Sequence, residues 1–392
     1  MITTMRGSIK EAIPMTEGQF GLLTSVVLVV YGIGSPFAGY FADRFNRSRV
    51  IFGTVLLWSI VTWLTAYVRT YEQLLALRAL LALSQVACVP ATVALIVDYH
   101  RGSTRSLASG LLLSGAMTGA GLSGLGGWLA EGPGWAYAFK AFGLIGMGYS
   151  LVLLFLLRDP PVPEVAATTE ATAAAPAGLG DALRSLFSNR GYLLMLVYNC
   201  VLGVVGWSVV GWMPTYIKEH YNVTQGTAGM STTVYSNAAA LIGLVIGGTW
   251  ADRWSRTDDR ARFFVPMIGL CLAAPAVLLL TNAPSLNLAL TGLALYGLFR
   301  YFSDANMMPM LCLLVDPRYR ATSWGVGSFF STIVGGVGIY AGGLLRDAHI
   351  DISRIFQFAA GNLLVSAFLL YLVHRRLHPA ATKPAPGPAV NR

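Results

Sequence analysis

The sequence predicts an all-α polytopic membrane protein made of two pseudo-symmetric helical bundles. Composition is the first observation: the 392-residue chain is 55% hydrophobic and only 11% charged, with a mean hydropathy of +0.60. A soluble domain carries about 25% charged residues. The second is that the apolar residues gather in eleven runs, each close to the roughly 20 residues that cross a hydrocarbon core. The third is a repeat. GYFADRFNRSR, Gly39 to Arg49, returns as GGTWADRWSR around Asp252, pairing Gly39 with Gly248, Asp43 with Asp252, Arg44 with Arg253 and Arg47 with Arg256.

Backbone groups in lipid must bond within their own segment, so the runs are read as helices. They are too long and too uniformly apolar for barrel strands, which alternate. The first run, 19–42, ends on the first Asp-Arg turn. The next four are 49–68, 71–98, 105–130 and 134–157, separated by short polar or glycine-proline breaks. Then comes RDPPVPEVAATTEATAAAPAGLG, rich in Pro, Ala and Thr and without an apolar face, which reads as a linker. Six more runs follow at 191–217, 226–252, 262–281, 286–315, 321–346 and 354–374, the second of them ending on the second Asp-Arg turn. The tail from His378 has the linker's composition. The expected division is therefore 1–157 (first bundle), 158–190 (cytoplasmic linker), 191–377 (second bundle) and 378–392 (disordered cytoplasmic tail).

Lys and Arg mark the cytoplasmic loops of a polytopic protein. With the loop holding Arg44 placed inside, 18 of the 27 Lys and Arg fall on the cytoplasmic side, six fall outside, and Arg78, Lys140 and Arg300 lie within spans. The linker and C-terminus are expected inside a cell (inner) membrane.

A second match sharpens the repeat. SIKEAIPMTEGQFG, from Ser8, aligns with YIKEHYNVTQGTAG, from Tyr216, at an offset of 208. In the second half this stretch follows a full span. Its first-half equivalent falls mostly before Met1, so the sequence reads as six spans against five, with a first helix missing through a late start site or a natural truncation.

Several function classes are set aside. The net charge of +9 sits in short loops and forms no basic domain, so nucleic acid is not expected. Cys88, Cys200, Cys271 and Cys312 are each alone in an apolar run, without metal or redox spacing. No cofactor or metal and no catalytic set is expected, hence no enzyme. The first 18 residues lack the apolar core of a cleavable signal peptide.

The six-helix halves, the linker and the G-x-x-x-D-R-x-x-R turn after the second helix resemble the major facilitator superfamily. The resemblance covers the whole chain apart from the missing helix. It implies a secondary transporter working by alternating access, with Gly39, Asp43, Arg44, Arg47 and their counterparts Gly248, Asp252, Arg253 and Arg256 as a conformational latch. Glycine lets neighbouring helices approach. An Asp at the helix end has two uses across the halves: pairing with an Arg, or capping a helix N-terminus.

Ionisable groups within spans are costly and therefore candidates for function. Arg78, Gln85 and Pro90 lie in RALLALSQVACVP, with Arg78 and Gln85 two turns apart on one face. This resembles the fourth helix of the anion–cation symporter branch, in which the arginine binds a substrate carboxylate and a glutamate carries the proton. The glutamate position is Gln85, which does not titrate. LFRYFSDANMMP offers a replacement, with Arg300 and Asp304 four apart on one face. An offset of 219 maps Pro90 onto Pro309 and Gln85 onto Asp304. The resemblance places Tyr31, Asn199, Tyr235 and Asn237 in cavity-lining spans.

The expected activity is thus proton-coupled symport of a small organic anion by a monomer in the bilayer. Arg78 or Arg300 would hold the anion and Asp304 the proton. A Spinster-like exporter of lipid or lysophospholipid is the alternative, which the WMPTYI segment from Trp212 also fits; a non-transporting remnant or sensor is a further one. Two glycine-rich stretches, Ser114 to Trp128 and Gly335 to Gly343, are read as close helix packing.

Overall fold

The computed structural model describes residues 1–100, 103–159, 179–258 and 260–377; within these, the side chains at 36, 38–44, 97, 103, 105–107, 109, 179 and 321 are not described. Fifteen α-helices cover the described residues, which contain no β-strand. They are α1 (Arg6–Ala12), α2 (Glu17–Arg44), α3 (Arg47–Thr65), α4 (Tyr71–Gln85), α5 (Cys88–Tyr99), α6 (Ser103–Leu122), α7 (Leu125–Glu131), α8 (Trp135–Leu156), α9 (Leu179–Ser188), α10 (Arg190–Tyr221), α11 (Gln225–Ser255), α12 (Ala261–Asn282), α13 (Leu286–Leu314), α14 (Arg320–Asp347) and α15 (Ile352–Leu377).

All eleven expected spans are helical. By length and composition, nine of the described helical segments suffice to cross a membrane. The other two expected spans are α6–α7, rich in Gly and Ser, and α13, whose mean hydropathy Arg300 and Asp304 lower. Two spans are broken. The 71–98 run divides at Val86–Ala87, four residues before Pro90. Proline supplies no N–H to the carbonyl four residues back and its ring crowds that carbonyl, which here belongs to Val86. The 105–130 run divides at Ser123–Gly124.

The 158–190 linker lies largely outside the described residues, but its last part is ordered as α9. There Ala182 and Leu186, one turn apart, are buried while Asp181 and Arg184 are exposed. Asp159 turns back to accept from the Ser48 backbone N–H and hydroxyl, both at 3.0 Å, at the start of α3. The 378–392 tail lies outside the described residues.

The molecule has two distinct ends. The turn end carries both Asp-Arg turns, where α2 and α11 finish. The far end is where those helices start, at Glu17 and Gln225, 208 residues apart as the sequence match requires.

The halves meet along α2 and α14. A Cβ on Gly21 would stand 3.1 Å from the Ile339 carbonyl oxygen, and one on Gly32 would stand 3.0 Å from the Ile333 side chain. At the other seam, α7 lies on the start of α11: a Cβ on Gly127 would stand 2.8 Å from the Gln225 carbonyl oxygen. Residues 1–12 pack into this far-end seam, with Met5 and Ile9 fully buried.

Within the second half, α13 is central and held by α11 and α12. The Trp212 indole donates to the Ile339 carbonyl at 3.2 Å and ties α10 to α14. Large apolar side chains such as Phe155 and Leu156 of α8 are exposed, as a lipid-facing surface requires.

Candidate functional site

Arg300 sits halfway along α13, the depth at which transporter sites lie. Its guanidinium forms an ion pair with Asp304 one turn on, with side chains 13% and 33% exposed. The four-residue spacing predicted from sequence therefore brings the two together. The guanidinium also lies over the Tyr301 ring, 5.0 Å from its centroid. Gly206 of α10 is also close, since a Cβ there would stand 3.1 Å from Nη2. A larger residue at 206 would take the room this guanidinium occupies.

Around the pair stand groups that no pattern along the chain singles out. Tyr198 of α10 and Tyr296 and Ser303 of α13 are buried; the Tyr198 hydroxyl stands beside Ser303 and that of Tyr296 beside Arg300, neither in good hydrogen-bond geometry, and Arg300 Nε lacks a partner. An unmatched buried polar group costs roughly 1–3 kcal/mol. Tyr296 is one turn before Arg300 and so was within reach of a helix-face argument. Tyr198 and Gly206 come from another helix, and nothing along the chain announces that contact.

The other candidates are spread out. Arg78 lies midway along α4, half-buried, with Nε lacking a partner. Among the described residues no hydrogen bond or ion pair joins it to Arg300 or Asp304. Gln85 is the last residue of α4 and half-buried beside the helix break. Tyr31 is half-buried on α2, and Tyr235 is exposed on α11. Asn237 donates to the Thr233 carbonyl of its own helix at 2.7 Å. Asn199 offers its backbone carbonyl to the Ser331 hydroxyl at 3.0 Å, linking α10 to α14. Lys140 Nζ sits 4.9 Å from the Tyr67 ring centroid.

The Asp-Arg turns differ in what is visible. The side chains of Gly39, Asp43 and Arg44 lie outside the described residues. Arg47 forms an ion pair with Asp98 and donates to the Ala94 carbonyl at 3.3 Å, both on α5. In the second turn Asp252, 70% exposed, stands 3.8 Å from Arg262 of the adjoining helix. Arg253 and Arg256 are exposed. These ion pairs stay within their own half. Gly248 makes only ordinary contact, with Ala305 Cβ 3.8 Å from where its own Cβ would be. The close approach of α11 to α13 falls at Gly243 and Gly247 instead, where an added Cβ would strike the Leu298 carbonyl oxygen or stand 2.7 Å from Phe302 Cα.

The glycine-rich stretch of α6–α7 is also divided. Gly124, Gly126 and Gly127 are closely packed, but a Cβ on Gly115, Gly119 or Gly121 would meet nothing within 4 Å.

The helix order, the two matching turns and the central Arg-Asp pair now meet independent comparison. The family profile of the Major Facilitator Superfamily matches residues 1–339 and 215–391. The chain belongs to the Major Facilitator Superfamily. Its relatives within the superfamily include the gallate transporter of Pseudomonas putida, 27% identical, with 82% of this chain and 77% of the relative covered. The 3-(3-hydroxy-phenyl)propionate transporter of Escherichia coli is 24% identical, with 96% and 90% covered. Among solved structures, a bacterial homolog of the human lysosomal transporter Spinster, inward-facing and unoccupied, has the same fold: TM-score 0.79, 21% identity, 98% of this chain and 95% of that one covered. The protein is a multi-pass membrane transporter of a small molecule, and its relatives and fold are those of transporters rather than enzymes.

Proposed function

We propose that this chain is a proton-coupled symporter of a small organic anion, working by alternating access. The Arg300–Asp304 pair carries this reading. A substrate carboxylate that occupies Arg300's donors removes the counter-charge of Asp304. A carboxylate left in a low-dielectric site without its counter-charge takes up a proton. Anion and proton then travel together, and release of the anion restores the pair. Arg78, the other cation midway along a span, holds the anion from the first half.

Two facts support the substrate class. Gallate and 3-(3-hydroxyphenyl)propionate are carboxylates, and arginine presents a donor fork that matches a carboxylate. The buried hydroxyls of Tyr198, Tyr296 and Ser303 supply further polar contacts beside the pair. The domain division 1–157, 158–190, 191–377 and 378–392 belongs to the same reading. So do the inner membrane, a cytoplasmic linker and C-terminus, a monomeric state and a latch role for the Asp-Arg turns.

The test is uptake into proteoliposomes containing the full chain, with radiolabelled gallate or 3-(3-hydroxyphenyl)propionate, with and without an imposed proton gradient. Gradient-stimulated uptake is the expected result. Absence of flux for either acid under both conditions would refute the symporter reading; movement of labelled lysophospholipid in its place would favour the Spinster-like alternative.

A further inference from the structure

At the far end, two carboxylates do the same thing at pseudo-symmetric positions. Asp347 accepts from the backbone N–H of Glu17 at 2.8 Å and of Gly18 at 2.7 Å, at the start of α2. Glu131 accepts from the backbone N–H of Gly226 at 2.9 Å, at the start of α11. Gly226 is the second residue of α11 as Gly18 is of α2, and they are 208 residues apart. Each carboxylate belongs to the last residue of its own helix, α14 or α7. Each contact joins one half to the other.

We propose that Asp347 and Glu131 are a matched pair of latches that hold the far end shut. The first N–H groups of a helix have no partner within it, and its N-terminus carries partial positive charge. A carboxylate placed there is bound by charge-assisted hydrogen bonds. The same carboxylate on the last turn of its own helix faces that helix's partial negative charge, which disfavours it. The contact across the seam offsets that cost.

Glycine at both receiving positions leaves room for the approach: a Cβ on Gly18 would stand 2.8 Å from Asp347 Oδ2, and one on Gly226 would run into the Trp128 indole.

An ion-pair cluster closes the α2–α14 side further. Glu17 pairs with Arg6, with Lys10 at 2.6 Å and with Arg346 at 3.6 Å; Glu219 pairs with Arg6 at 2.8 Å and Arg346 at 3.0 Å. Glu17 and Arg346 are 14% and 15% exposed, so the cluster is screened less than a surface pair. The α7–α11 side has a neutral counterpart, since Gln225, the equivalent of Glu17, exchanges hydrogen bonds with Ser8 at 3.2 and 3.0 Å. Opening the far end breaks both carboxylate contacts at once, and the latch rests on alternating access, not on any substrate.

The experiment reads cysteine accessibility in the detergent-purified full chain, with the four native cysteines changed to serine. Ser25→Cys, at a position 2% exposed on α2 beside α14, reports on the seam. Ser366→Cys, fully buried on α15, reports on packing within the second half. Asp347→Ala or Glu131→Ala should speed maleimide labelling at position 25 about fivefold, and the two together about twenty-fold, from the typical loss of a helix cap. Asp347→Asn, which keeps shape and one acceptor, should speed it about twofold. Labelling at position 366 should not change. An unchanged rate at position 25 in the double variant overturns the proposal, and so does an equal increase at position 366, which would mean a loosened fold.

Discussion

Arg300 and Asp304 form an ion pair one helical turn apart at the midpoint of α13, with the Tyr301 ring and Gly206 of α10 both close to the guanidinium. If Asp304 carries the coupling proton, Asp304→Asn keeps the shape and removes the titration. Gradient-driven uptake should fall to background while exchange of labelled for unlabelled anion continues. Gradient-driven uptake that survives the substitution assigns the proton elsewhere.

The arginine itself makes a separate prediction. Lysine keeps the charge but loses the planar fork. Arg300→Lys should raise the half-saturation concentration about tenfold, equivalent to about 1.4 kcal/mol, with a smaller change in maximal rate. The same change at Arg78 should raise it as well if the first half holds the anion. Uptake kinetics for the two variants side by side decide whether one arginine or both bind, and an unchanged half-saturation in Arg300→Lys removes Arg300 from the site.

The span boundaries were legible because lipid tolerates only apolar segments with internally bonded backbone. The 286–315 run, for example, becomes α13 at Leu286–Leu314. The pair on α13 was legible for an equally local reason: residues four apart on a helix share a face. The break at Val86–Ala87 was encoded by Pro90 but hidden by an unbroken apolar run. Contacts between helices left no such mark. Gly206 beside Arg300 joins residues 94 positions apart in two uninterrupted helices. Asp347 and Glu131 escaped because repeat matching followed the receiving helices at an offset of 208, whereas these carboxylates are 216 apart. The turn glycine was misleading in its detail, since Gly248 belongs to the repeat but Gly243 and Gly247 take the close contact.

That last difference is measurable. A methyl group added at Gly243 would meet the Leu298 carbonyl oxygen, a backbone atom that yields only if α11 and α13 separate. Overpacking of this kind costs roughly 1–3 kcal/mol. At Gly248 the nearest atom is 3.8 Å away, and alanine is the better helix former by up to about 1 kcal/mol. Thermal unfolding in detergent should therefore show Gly243→Ala clearly destabilised and Gly248→Ala neutral or slightly stabilised. Equal loss at both would mean that the turn glycine is needed for packing after all.

Asp351 lies between α14 and α15, outside the spans, and accepts from the Ser353 backbone N–H at 2.7 Å. That bond, with the Ser353 hydroxyl, holds its carboxyl below the ordinary carboxylate range, and burial opposes the shift only in part. A folded-state pKa below the unfolded value of about 3.9 gives a contribution that is fully present above the unfolded pKa. The contribution is lost as pH falls through the folded pKa. Capping the first turn of α15 is worth about 1 kcal/mol. Asp351→Ala should therefore lower the unfolding temperature at pH 7, and the gap to the parent protein should close as the pH is taken below about 4. A gap that persists undiminished into that acid range would show that Asp351 stabilises the helix start by packing and not by its charge.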